Sequence, residues 1–196
     1  ADVIDASGLT GLGLTMGAAA TDASTITGSA AIDTLVADSN SGTAISGGAG
    51  NDIITGGTGN DTLNGGDGND TITVSTGSDI VSGGAGDDII SMAAGSISSG
   101  DAIDGGDGTD TLNLSTIAAI GAAAGQRLSN FERLDLDMAT LGGDVTIDLA
   151  SLINNSAFDR ITIGDTNDNV VTVSNVLDAF SDLRLDGSDT TNNDSE

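Results

Sequence analysis

Between Gly47 and Ser91 the apolar positions follow neither the 3.6-residue period of a helix nor the plain alternation of an ordinary strand. They return in steps of nine, through Gly47 to Thr55, Gly56 to Asn64, Gly65 to Thr73, Val74 to Ser82 and Gly83 to Ser91. A four-residue insertion, Met92 to Gly95, interrupts the register, which resumes with SISSGDAID from Ser96 and GGDGTDTLN from Gly105. Upstream, GSAAIDTLV from Gly28 fits the frame loosely, and Ala37 to Ser46 reads as a worn copy. Position eight is then Leu35, Ile54, Leu63, Ile72, Val81, Ile90, Ile103 and Leu112, while position six is Asp33, Asp52, Asp61, Asp70, Asp79, Asp88, Asp101 and Asp110.

This pattern predicts an all-β chain: a parallel β-roll or β-solenoid of nonapeptide repeats with flanking β-strand regions. Glycine at positions one, two and four permits positive φ and leaves backbone carbonyls unshielded, so the first six residues of a repeat make a tight turn. The rest form a short strand with the position-eight side chain facing inward. Two repeats close one coil, and turns two repeats apart stack on the same edge. One edge is expected to carry Asp33, Asp52, Asp70, Asp88 and Asp110, and the other Asp61, Asp79 and Asp101.

Composition makes that stack a problem. One buried aliphatic residue per repeat does little against the entropy of ordering nine residues, and the carboxylates repel. The chain of 196 residues has 30 acidic residues against four Arg, a net charge of -26, and no Cys, His, Pro or Trp. Such charge excludes nucleic acid and anionic lipid as partners and points to cations. A divalent cation taking oxygen ligands from successive turns removes the repulsion and adds its binding energy to folding; oxygen-only ligation at several sites suits calcium rather than zinc or copper.

The phrase GGAGNDIITGGTGNDTLNGGDGNDTIT, from Gly47, resembles the RTX family of glycine-rich nonapeptide repeats found in proteins exported by type I secretion. The resemblance implies several Ca2+ ions between stacked turns, held by the carbonyls of positions one to four and the position-six carboxylates. The ligands it implies are Gly47, Gly48, Ala49, Gly50 and Asp52; Gly56, Gly57, Thr58, Gly59 and Asp61; and Gly65, Gly66, Asp67, Gly68 and Asp70. They continue with Gly77 and Asp79; Gly83, Gly84, Ala85, Gly86 and Asp88; and Gly105, Gly106, Asp107, Gly108 and Asp110, with Asp33 and Asp101 completing the position-six series. Val74-Ser75 replaces the leading glycine pair before Asp79, and the repeat of Asp101 has lost most of its glycines, so these two sites are expected to be the weaker ones.

The flanks read as ordinary β structure. VIDAS, LGLTMG and STITGS near the amino end, and FERLDLDM, GDVTIDLA, DRITIGD, NVVTVSN and DLRLDG beyond Asn113, place apolar side chains on one face of short strands. Ala118 to Gly125 reads as a short helix or a loose coil. The expected division is a strand segment over 1–27, the roll over 28–113, a β-rich cap over 114–190 and an acidic tail over 191–196. The stretch from Gly105 to Val173 also resembles, more loosely, modules of bacterial surface-layer proteins and giant RTX adhesins.

Sharper local readings give way to plainer ones. DTNDNVVTVSNV from Asp165 starts like an EF-hand loop but has Val170 and Val176 where the glycine and the bidentate glutamate belong, so a polar turn is the better reading. GLGLTMG lacks the spacing of a dinucleotide loop, and no Lys exists for a phosphate loop. Regularly repeated, equivalent carboxylates do not form the unequal acid pair of a glycosidase, so no enzyme is expected. The terminal DGSDTTNNDSE reads as a solvated tail, with a secretion signal as the alternative. ADVIDASG lacks the basic and apolar regions of a signal peptide, and no apolar run reaches the length of a membrane span. The functional expectation is an extracellular, calcium-folded structural protein at the bacterial cell surface, self-associating into a polymer or lattice and anchored to cell-surface polysaccharide. An adhesion or spacer module, or the accessory calcium domain of a secreted hydrolase, are the alternatives.

Overall fold

The computed structural model describes residues 3–16, 25–37, 42–92, 100–115, 127–137, 145–148, 160–164, 171–174 and 184–187. Every element among them is a strand, and every strand pairing is parallel. Within each coil the chain makes one strand, turns, makes a second strand on the opposite layer and turns back.

The first sheet stacks β1 (Val3–Asp5), β3 (Thr25–Thr27), β5 (Ala44–Ala49), β7 (Thr62–Asp67), β9 (Ile80–Ala85), β11 (Ala102–Asp107) and β13 (Arg127–Ser129). The second stacks β2 (Thr15–Met16), β4 (Thr34–Val36), β6 (Ile53–Thr55), β8 (Thr71–Val74), β10 (Ile89–Met92), β12 (Thr111–Leu114), β14 (Arg133–Asp137), β16 (Arg160–Gly164) and β18 (Arg184–Gly187). A separate pair joins β15 (Val145–Asp148) to β17 (Val171–Ser174). Apart from that pair, the strands flanking the repeats extend the same two sheets. The readings of Ala118 to Gly125, of the EF-hand-like loop at Asp165 and of the acidic tail lie outside the described residues.

In-register pairing turns the position-eight residues into two facing ladders. Ile45, Leu63, Val81, Ile103 and Leu128 stack in the first sheet, and Leu35, Ile54, Ile72, Ile90, Leu112 and Leu134 in the second. All eight expected position-eight side chains are buried to 2% exposure or less. Ile45 shows that the worn copy still feeds the core. Ala44, Thr62 and Ile80 face one another at spacings of 18 residues, whereas Ile80 pairs with Ala102; the insertion after Met92 is accommodated between strands without moving the register. Phe131, fully buried, packs with this core beside Leu134 and Leu136. Arg133, Arg160 and Arg184 fall in one register column of the second sheet.

Candidate metal-binding turns

The aspartates at position six are almost completely buried, from 0% exposed for Asp88 and Asp110 to 2% for Asp61. Their stacking follows the two expected edges. The backbone N–H of Asp33 donates to Asp52 Oδ1 (2.8 Å), that of Asp52 to Asp70 Oδ1 (2.7 Å), that of Asp70 to Asp88 Oδ1 (2.7 Å) and that of Asp88 to Asp110 Oδ1 (2.8 Å). On the opposite edge the N–H groups of Thr43, Asp61 and Asp79 donate to the Oδ1 atoms of Asp61, Asp79 and Asp101 at 2.8, 2.8 and 2.9 Å. Each carboxylate thus reaches back and uses one oxygen to fasten its coil to the one before.

The other oxygen is left over. Oδ2 of Asp52, Asp61, Asp70, Asp79, Asp88 and Asp110 is buried with no hydrogen-bond partner. Six orphaned carboxylate oxygens, four on one edge and two on the other, are costly, because a buried anionic oxygen without a donor bears its full desolvation penalty. Burial pushes these six carboxyls above the usual range, to about 6 for Asp70 and Asp79 and about 7 for Asp88, with neighbouring carboxylates adding to the rise at Asp70, Asp79 and Asp88.

The glycines divide their work in a way the sequence pattern does not separate. On the edge of Asp52, Asp70, Asp88 and Asp110, positions two and four take positive φ, from 113° at Gly106 to 146° at Gly108. Position one does not, and glycine there makes room instead. A Cβ on Gly47 would lie 2.2 Å from Asp52 Oδ2 and 2.5 Å from the carbonyl oxygen of Gly65; one on Gly65 would lie 2.2 Å from Asp70 Oδ2 and 2.3 Å from the Gly83 carbonyl. On this edge the orphaned oxygens of Asp52, Asp70, Asp88 and Asp110 each therefore share a small cradle with a carbonyl of the next coil. On the opposite edge the turns are looser: among the described residues only Gly77 there has positive φ, at 154°. No group of three or more ligating side chains gathers anywhere among the described residues, so each cradle offers one carboxylate and backbone oxygens. That hard-oxygen set matches calcium.

Three features were not legible as function in the pattern. Asn at position five builds its own ladder: the N–H of Asn69 donates to Asn51 Oδ1, and that of Asp87 to Asn69 Oδ1, both at 3.1 Å, and Ser78 N–H to Asn60 Oδ1 at 2.9 Å. The recurring Asn, Ser or Asp before the aspartates from Asp52 to Asp88 was the available signal. Asp33 differs from the rest of its edge, since Leu14 N–H donates to its Oδ1 and Ser29 N–H (2.6 Å) and Ser29 Oγ (3.1 Å) serve its Oδ2. Ser29 at position two, where glycine stands in the repeats, announces it. Asp79, despite the missing glycine pair before it, keeps the same burial and the same orphaned Oδ2 as its neighbours.

Fold and cradles define a parallel β-roll whose stacked turns present unneutralised carboxylate and carbonyl oxygens. Residues 44–72 and 64–96 match the family model of the RTX calcium-binding nonapeptide repeat, which describes four copies. Residues 44–96 are thus RTX repeats, and the roll is a calcium-binding structural unit. No curated protein matches the chain.

The raised carboxyls make a pH prediction. A folded-state pKa above the unfolded value favours folding at pH below the unfolded value and loses that contribution as pH rises through the folded one. For Asp70, Asp79 and Asp88 the loss spans the interval from the ordinary carboxylate range up to about 6 or 7. Metal-free protein should therefore hold more β structure near pH ~4, where the orphaned oxygens are protonated, than near pH ~8. Circular dichroism in chelator across that range measures it; a β signal that falls on acidification would refute the assignment.

Proposed function

We propose that this chain is an extracellular structural module, exported and then folded by calcium, that self-associates into a surface layer, filament or matrix. The observation that carries the proposal is the set of six buried, unpartnered Oδ2 atoms, four of which on one edge share a cradle with a position-one glycine and a carbonyl of the next coil. In this reading calcium is held by position-six carboxylates together with turn carbonyls at positions one to four, on both edges. Bound calcium supplies the positive charge that the buried carboxylates lack. A chain that folds only where calcium is plentiful stays extended inside the cell and orders outside it.

Self-association is assigned to the apolar side chains exposed on the first described coil, where Val3 is 71% and Leu12 70% exposed. A second copy of this chain is the partner we favour for them. Replacing Val3 and Leu12 together by Lys should leave calcium-induced β structure unchanged and reduce calcium-induced association, read by light scattering. Equal scattering from both proteins would remove these side chains from the interface. A calcium-saturated wild type that stays monomeric at high concentration would instead favour the spacer-module reading, which the continuous stack of the second sheet from β2 to β18 also suits.

A further inference from the structure

We infer that the turn from Leu128 to Glu132, which is not a nonapeptide repeat, completes the cation site of Asp110 at the carboxy-terminal end of the repeats, with Glu132 standing where the repeats have aspartate. Register places it there. Ile103 pairs with Leu128 and Leu112 with Leu134, so Glu132 precedes Leu134 by two residues as Asp110 precedes Leu112. The hydrogen bonding is the same as in the repeats: Asp110 N–H donates to Glu132 Oε2 at 2.8 Å, as Asp88 N–H does to Asp110 Oδ1.

The turn reaches this arrangement with fewer residues. Asn130 takes the left-handed conformation, φ 55°, the one non-glycine residue to do so among the described residues, and its Nδ2 donates to Asp104 Oδ1 at 2.7 Å. The longer glutamate side chain spans what the shortened backbone leaves open. A Cβ on Gly105 would lie 2.0 Å from the Asn130 carbonyl oxygen and 2.8 Å from Asp110 Oδ2, matching the cradle above Gly83, formed by the Gly105 carbonyl and Asp88 Oδ2.

The independent pointer to a ligand is Asp110 itself. It is 0% exposed, and its Oδ2 has no partner. At the opposite end of the same edge, Asp33 is served by the Ser29 hydroxyl and two N–H groups, so that end closes without a cation. No such hydroxyl serves Asp110 Oδ2. Instead the carboxylates of Glu132, Asp87 and Asp104 add negative charge around it. A hard divalent cation such as calcium, taking Glu132, Asp110 Oδ2 and the Asn130 carbonyl, satisfies this end.

The inference rests on the calcium frame proposed above, and the experiment separates the two. Calorimetric titration of the full chain with calcium should give one fewer site for Glu132→Gln than for wild type, or weaken one site at least ~10-fold, with Asp70→Ala as the control for the frame. Unchanged Glu132→Gln beside an impaired Asp70→Ala overturns the inference and leaves the frame standing; two unchanged variants remove the frame. If Glu132→Gln fails to fold, the wild type still decides. Glu132 and Glu196 are the only glutamates, so side-chain carboxyl 13C labelling gives two NMR signals. Calcium should shift one and leave the other, and two signals that respond alike overturn the inference.

Discussion

In excess chelator at neutral pH the roll over residues 28–113 should lose its β-type circular dichroism, and calcium in the millimolar range should restore it, with magnesium doing so far less. The six buried Oδ2 atoms without partners make the metal-free fold at neutral pH a stack of desolvated like charges. Against them stand the two position-eight ladders, a shorter row of Val74, Met92, Leu114 and Leu136 on the second sheet, and Phe131. That core is thin for its length, with only two or three apolar side chains per coil. Magnesium requires a compact octahedral shell and gives up water reluctantly, so cradles lined by backbone carbonyls suit calcium. Each site filled at a hundredfold excess over its dissociation constant adds about 2.7 kcal/mol to folding, and several such sites together dominate the stability of the roll. An unchanged β spectrum in chelator at neutral pH would mean that the core suffices alone.

Asp70→Ala should be the most damaging single substitution in the calcium-bound state. Asp70 stands mid-stack: its Oδ1 accepts from Asp52 N–H, its own N–H donates to Asp88 Oδ1, and its Oδ2 shares the cradle at Gly65 with the Gly83 carbonyl. Alanine removes an inter-coil hydrogen bond and the carboxylate ligand of the cradle at Gly65. The calcium midpoint for folding should rise by at least the ~10–100-fold that even an outer-shell loss costs. Asp33→Ala, whose carboxylate is served by Ser29 and Leu14, should lower stability without changing the number of calcium ions bound. Equal calcium stoichiometry and midpoint for Asp70→Ala and wild type would contradict the frame.

The nine-residue step made the roll legible because two signals repeat in phase, an aliphatic at position eight and an aspartate at position six. The edge on which each aspartate falls followed from two repeats per coil, and the hydrogen bonds from Asp33 through Asp110 trace that edge. What repetition could not convey was difference between copies. Glycine at position one and glycine at position two are the same letter, yet one leaves room for a carboxylate and the other adopts a positive φ. Ser29 read as part of a copy that fits the frame loosely, although its hydroxyl closes the end of a stack. Glu132 was hidden because its turn lacks glycine altogether, and only the pairing of Leu112 with Leu134 brings it beneath Asp110. Such positions are fixed by contacts between coils, which a linear period does not encode.

The central claim is that calcium occupies the cradles of the orphaned oxygens. A crystal structure of the calcium-loaded chain, with anomalous difference maps collected to locate calcium, tests it most directly. Peaks are expected beside Oδ2 of Asp52, Asp70 and Asp88 on one edge and of Asp61 and Asp79 on the other. Peaks confined to side chains outside the position-six stack, such as Asp67, Asp87 and Asp107, with these five oxygens still unpartnered, would contradict it.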